Sequence, residues 1–126
     1  MKKKILGSLA ALLLTAPAMA DSTLQIFSCN LVGEHTYDDV IALSKSWLKA
    51  AKTMAGGANL QVSLEFPLAA SSGEGSFNFV LSAADPAVWG EFMNGYQGSP
   101  AAEEDSKWSG VATCDDITLW ASVDIK

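Results

Sequence analysis

Apolar residues alternate most cleanly over positions 60–66. Leu60, Val62, Leu64 and Phe66 fall on one side, and Gln61, Ser63 and Glu65 on the other. A period of two with one polar side predicts a half-buried strand of an antiparallel sheet. Pro67 ends it. Phe77, Phe79 and Leu81 repeat the alternation over 76–82. The small-residue stretch 69–75 between the two runs predicts a loop closing a wide hairpin. Residues 22–32 are dense in β-formers, although the alternation slips at Ile26-Phe27. A last strand spans 112–124, where Ile117, Leu119, Ala121 and Val123 alternate with Thr118, Trp120 and Ser122. The adjacent pair Asp115-Asp116 predicts a bulge or a local edge near its start.

Between these strands the period changes. Val40, Leu43, Trp47, Ala51 and Met54 recur at helical spacing, and Lys45, Lys49 and Lys52 take the more polar side. Thr36 with Asp39 three residues later resembles a capping box, so a helix is expected over 37–55, stopped by Gly56-Gly57. Asp85-Pro86 supplies a cap and a first-turn proline for a second helix. Its apolar stripe is Val88, Trp89, Phe92, Met93 and Tyr96. Ser99-Pro100 repeats the signal for a short helical segment over 101–108. The order β-α-β-β-α-β predicts an α+β fold, a ferredoxin-like βαββαβ sandwich. It has a four-stranded antiparallel sheet with helices on one face. The other face reads as polar with aromatic islands such as Trp120, a surface that a second sheet would cover. A homodimer is therefore expected.

The first twenty residues add a location. Lys2, Lys3 and Lys4 precede the apolar run Ile5–Ala16, and Ala18-Met19-Ala20 supplies a small-residue cleavage site. Residues 1–20 are expected to be a signal peptide, leaving 21–126 as a single domain in a periplasm or outside the cell. The apolar run is short of the ~20 residues a membrane span needs, so no stable membrane insertion is expected after cleavage. Removing this leader takes three of the eight basic residues and none of the fourteen acidic ones, moving the formal charge from −6 to −9. There is no arginine. A basic surface for nucleic acid is missing, and the acidic surface points to solubility or to a cationic partner. Cys29 and Cys114 lie near opposite ends of the domain, and in an oxidising compartment they predict one disulfide. Two cysteines and one histidine are too few for a structural zinc site, and the acidic pairs lack the spacing of a calcium loop. No metal and no cofactor is expected.

The candidate ligand contacts are aromatic. Trp89, Phe92 and Tyr96 share one helical stripe, and Trp47 lies on the apolar side of the first helix. His35, in the turn before that helix, is the one residue suited to acid–base chemistry near neutral pH. Element order, length and the late aromatic helix resemble the dimeric α/β-barrel group of ferredoxin-like domains. That group includes the antibiotic-biosynthesis-type monooxygenases. The resemblance covers residues 22–124 and implies two sheets packed face to face, with a ligand cavity between sheet and helices. Haem-degrading members of the group use a first-strand asparagine, a tryptophan and a second-helix histidine. Asn30 and Trp89 are the matching types here, while the second helix has no histidine. The resemblance also implies an alternative reading: a cofactor-independent monooxygenase acting on an aromatic substrate near Asn30, Trp47, Trp89 and Tyr96. With no nucleophile motif, the sequence leans away from an enzyme. It points first to a secreted, dimeric protein that binds a small apolar or aromatic ligand, with a protein-binding or inhibitory module as a further alternative.

Overall fold

The computed structural model describes residues 22–69 and 73–126. The expected leader, its cleavage site and the centre of the 69–75 loop lie outside the described residues. The elements run β1 (Ser22–Leu31), α1 (Tyr37–Ala51), β2 (Gln61–Glu65), β3 (Ser76–Ala83), α2 (Pro86–Asn94), α3 (Pro100–Asp105) and β4 (Ala112–Ser122). A single 3₁₀ turn, Ser106–Trp108, extends α3. The four strands form one antiparallel sheet in the order β2-β3-β1-β4. This is the predicted ferredoxin-like sandwich.

The helices begin where local chemistry satisfies their first N–H groups. The Asp39 carboxylate accepts from the Thr36 backbone N–H at 2.8 Å. That bond, with the neighbouring His35 ring, holds the Asp39 carboxyl below its usual range. Asp85 Oδ1 accepts from Val88 N–H at 2.8 Å, with Pro86 in the first turn. Ser99 Oγ accepts from Ala102 N–H at 3.1 Å and starts α3. Each bond replaces water at an otherwise orphaned donor.

α1 stops at Ala51 rather than at residue 55. The chain then turns back through Met54 N–H to Ala51 O and Gly57 N–H to Met54 O. Both glycines are required for this return. A Cβ on Gly57 would sit 1.8 Å from the Ala51 carbonyl oxygen, and one on Gly56, at φ +74°, 2.8 Å from the Phe92 amide nitrogen. The turn therefore closes α1 and seats its end against α2. Gly57→Ala is expected to cost about 2–3 kcal/mol, because backbone must move to admit the methyl group. A urea midpoint within error of the parent would contradict this close approach.

The core lies between helices and sheet. Val40, Trp47, Leu60, Phe77, Leu81 and Phe92 are its large buried members. On β1, Gln25, Phe27 and Cys29 share the helix side with Phe79 and Leu81 of β3. Leu24, Ile26 and Val80 take the opposite side, so the slip at Ile26-Phe27 reflects a strand that is apolar on both faces.

β4 departs from expectation. Its Ile117/Leu119 side faces the helices, yet Ile117 is 56% and Leu119 51% exposed, and Trp120 on the other side is 56% exposed. β4 is an edge strand, and the helices pack over β1, β2 and β3 instead. The predicted irregularity at Asp115-Asp116 is present. Ser28 pairs with Asp116 but Cys29 pairs with Cys114, which leaves Asp115 as the extra residue. The bulge turns Cys114 to face Cys29, and the two form the expected disulfide.

Candidate functional site

A cavity of about 200 Å³ opens between the sheet and the helices beside the uncovered edge strand. Its floor is Gln25 and Phe27 from β1, Phe79 and Leu81 from β3, and Cys114 and Ile117 from β4. Trp47 of α1 and Phe92 and Met93 of α2 form the roof. Tyr96, just past α2, and Asp105 and Trp108 complete the wall. The rings brace one another edge to face. Trp47 meets Phe79 at 5.4 Å and Phe92 at 5.9 Å between centroids, and Phe79 meets Trp108 at 5.5 Å. Such pairs resist collapse into the space they enclose.

Three indole N–H groups surround this space, and they differ. Trp47 Nε1–H donates to the Tyr96 hydroxyl at 3.1 Å. Trp89 Nε1–H donates to Gln25 Oε1 at 3.1 Å, which leaves the Gln25 Nε2 amide as a donor. Trp108 Nε1 is buried without a partner among the described residues. A buried donor left unpaired costs about 1–3 kcal/mol, as it does for the equally unpartnered Thr23 and Ser44 hydroxyls. Trp108 lies three residues after Asp105. The 3₁₀ turn stacks such positions, and that places both on the cavity wall.

Tyr96 is held neutral. Burial pushes its phenol up to about 12, against the opposing Trp47 hydrogen bond, and the Asp105 carboxylate adds to the rise. At neutral pH it is therefore a hydrogen-bond group rather than a base. The folded-state value lies above the unfolded one. As pH rises from about 10 to about 12 the unfolded chain loses this proton first, so stability falls across that window. Tyr96→Phe should lower stability at neutral pH by orphaning the Trp47 N–H, yet remove this alkaline decline. Thermal melts of both proteins across the window measure it, and identical pH slopes would contradict the assignment.

Of the residues singled out in the sequence, Trp47, Phe92 and Tyr96 meet at this cavity, and Trp89 touches it through Gln25. Asn30 does not. It lies on the opposite face of β1, in a separate open groove with Ser28, Glu65 and Asn78. His35 is exposed at the start of α1, 3.2 Å from Asp39 Oδ2, and lines neither. Sequence reasoning did not single out Gln25, Asp105 or Trp108. A polar residue in the middle of an apolar strand was the signal for Gln25. For Trp108 none was available, because its direction depends on one tightened turn. No group of metal-ligating side chains occurs among the described residues.

No family profile and no curated protein matches the chain. A solved structure does. The chain is similar in fold to SnoaB, a cofactor-independent oxygenase from Streptomyces nogalater, in an asparagine-to-alanine variant. The TM-score is 0.59 at 10% identity, over 84% of this chain and 97% of that one. The likeness is one of fold. It corrects the lean away from an enzyme, which rested on the missing nucleophile, metal and cofactor signatures. A fold shared with an oxygenase described as cofactor-independent takes away the weight of those absences.

Proposed function

We propose that the protein is a small oxygenase of the cofactor-independent kind, acting on an electron-rich phenolic ring bound in the Trp47/Phe92/Trp108 cavity. The observation that carries this reading is the aromatic-walled cavity lined by Trp108, whose buried N–H has no partner among the described residues. The fold shared with an oxygenase supports it.

Size limits the substrate. A cavity of about 150 Å³ holds benzene, and drug-sized ligands use about 300–1,000 Å³. A space of about 200 Å³ suits one ring with a short arm. The Trp108 N–H and the Gln25 amide, from residues that both line the cavity, donate to the phenolic oxygen and stabilise it as the phenolate. Ionisation raises electron density at the ortho and para carbons. Such a ring is its own reductant. One electron passes to dioxygen, the radical pair closes a C–O bond at a ring C–H carbon, and the resulting hydroperoxide loses water. The product is a quinone. One oxygen atom stays in the ring carbonyl, the other leaves as water, and the ring supplies all four electrons. The apolar walls admit dioxygen and keep bulk water from the radical pair.

An oxygen electrode with phenols, dihydroxybenzenes and naphthols tests this. Uptake that saturates with substrate and stops when the ring is consumed is expected. A rate equal to the protein-free rate for every compound, at substrate concentrations that saturate binding, would sink the reading.

Two further parts of the proposal concern assembly and location. The face opposite the helices carries Leu24, Ile26, Val80 and Trp120, which supports a face-to-face dimer. A single monomeric species by ultracentrifugation across micromolar concentrations would oppose it. The Cys29–Cys114 disulfide supports export to an oxidising compartment through the 1–20 leader. An intact mass that retains residues 1–20 in the mature protein would oppose that.

A further inference from the structure

The charge around the cavity narrows the substrate class further, and this step rests on the same cavity as the proposed function. The residue lining it that carries a full charge is Asp105, at the exposed mouth. No lysine lines it. The neighbouring Lys107 is engaged by Glu104 at 2.8 Å, and Glu103 adds a further carboxylate on the same short helix. The chain as a whole has a formal charge of −6 and no arginine. Anionic ligands therefore meet an unfavourable potential with no compensating donor fork.

A cation meets the opposite situation. Tyr96 stands beside the Asp105 carboxylate, and Trp108 lines the same wall, so aromatic rings and one negative charge share that side of the cavity. Ring quadrupoles attract an ammonium group, and a carboxylate at the same point adds to that attraction. On the same wall, the buried Trp108 N–H lacks an acceptor. The two requirements fall on different side chains of one wall. From them we infer that the ligand is an aromatic amine: a single phenolic ring whose hydroxyl meets Trp108 and whose short protonated aminoalkyl arm meets Asp105. Neutral phenols of the same shape enter but lack the second contact. Arylcarboxylates are rejected.

Titration calorimetry at low salt with tyramine, para-ethylphenol and para-hydroxyphenylacetate tests the inference without requiring turnover. Tyramine should bind roughly tenfold more tightly than para-ethylphenol, a difference that shrinks as salt is added. Para-hydroxyphenylacetate should bind most weakly. Asp105→Asn, at an exposed position where folding is readily confirmed by circular dichroism, should bring the amine and the neutral phenol to equal affinity. Asp105→Lys should reverse the order in favour of the carboxylate. Equal binding of amine and neutral phenol by the parent protein would overturn the amine assignment and leave the phenol-binding cavity standing. A preference that survives in Asp105→Asn would overturn it as well. If none of the three binds, the cavity reading fails and this inference fails with it.

Discussion

Reducing the Cys29–Cys114 disulfide is expected to remove a large fraction of the protein's stability. The bond closes a loop of 85 residues in the unfolded chain. Loop-closure entropy values that constraint at ~4.5 kcal/mol. Domains of this size have total stabilities of ~5–15 kcal/mol, so the loss is a large fraction of the whole. A melting point lower by on the order of 20 °C is the corresponding shift. The effect also reaches the site. Cys114 lines the cavity, and the Asp115 bulge aligns it with Cys29. Without the bond, β4 is an edge strand held by β1 alone, with exposed Ile117 and Leu119 on its cavity side. A Cys29→Ser/Cys114→Ser double variant should melt early and lose ligand affinity together. A shift of only a few degrees would show that the sheet register, not the bond, carries the stability.

The second large effect separates stability from activity at one atom. Trp108→Phe removes an N–H that has no partner in the free protein while keeping a ring against Phe79. Removing an unsatisfied buried donor is neutral or stabilising. Removing a donor that holds a developing oxyanion costs about 10²–10³ in rate. The variant should therefore unfold at the same or higher denaturant concentration than the parent and oxidise phenols at least ~10²-fold more slowly. Loss of both stability and activity would mean that Trp108 matters only as packing. Retention of both would remove it from the chemistry.

Local signals in the sequence were sufficient for most of the elements. Caps are local, so Thr36-Asp39, Asp85-Pro86 and Ser99-Pro100 located three helix starts within a residue. Alternation located β2 and β3, and the doubled aspartate located the bulge. What failed was lateral placement. Ile117 and Leu119 alternate as a core face does, yet the helices lie over the neighbouring strands, and no local signal encodes that offset. The site was legible to the same degree. Helical spacing grouped Trp89, Phe92 and Tyr96 and paired them with Trp47. Asn30 stands apart from them because an even-numbered residue of β1 faces away from the helices, a facing that the slip at Ile26-Phe27 left undetermined in the sequence. Gln25 and Trp108 have meaning only through partners distant in sequence: Trp89 for one, a missing partner for the other.

The central claim is that this cavity delivers dioxygen to a bound phenolic ring. Heavy-isotope dioxygen tests it most directly, with product mass read by mass spectrometry after a single incubation with the parent protein and with Trp108→Phe. The parent should yield a product carrying one labelled oxygen atom, with the second recovered in water, and the variant should yield at least ~10²-fold less in the same time. Product that takes its new oxygen from the solvent, or labelled product formed equally by both proteins, would contradict it.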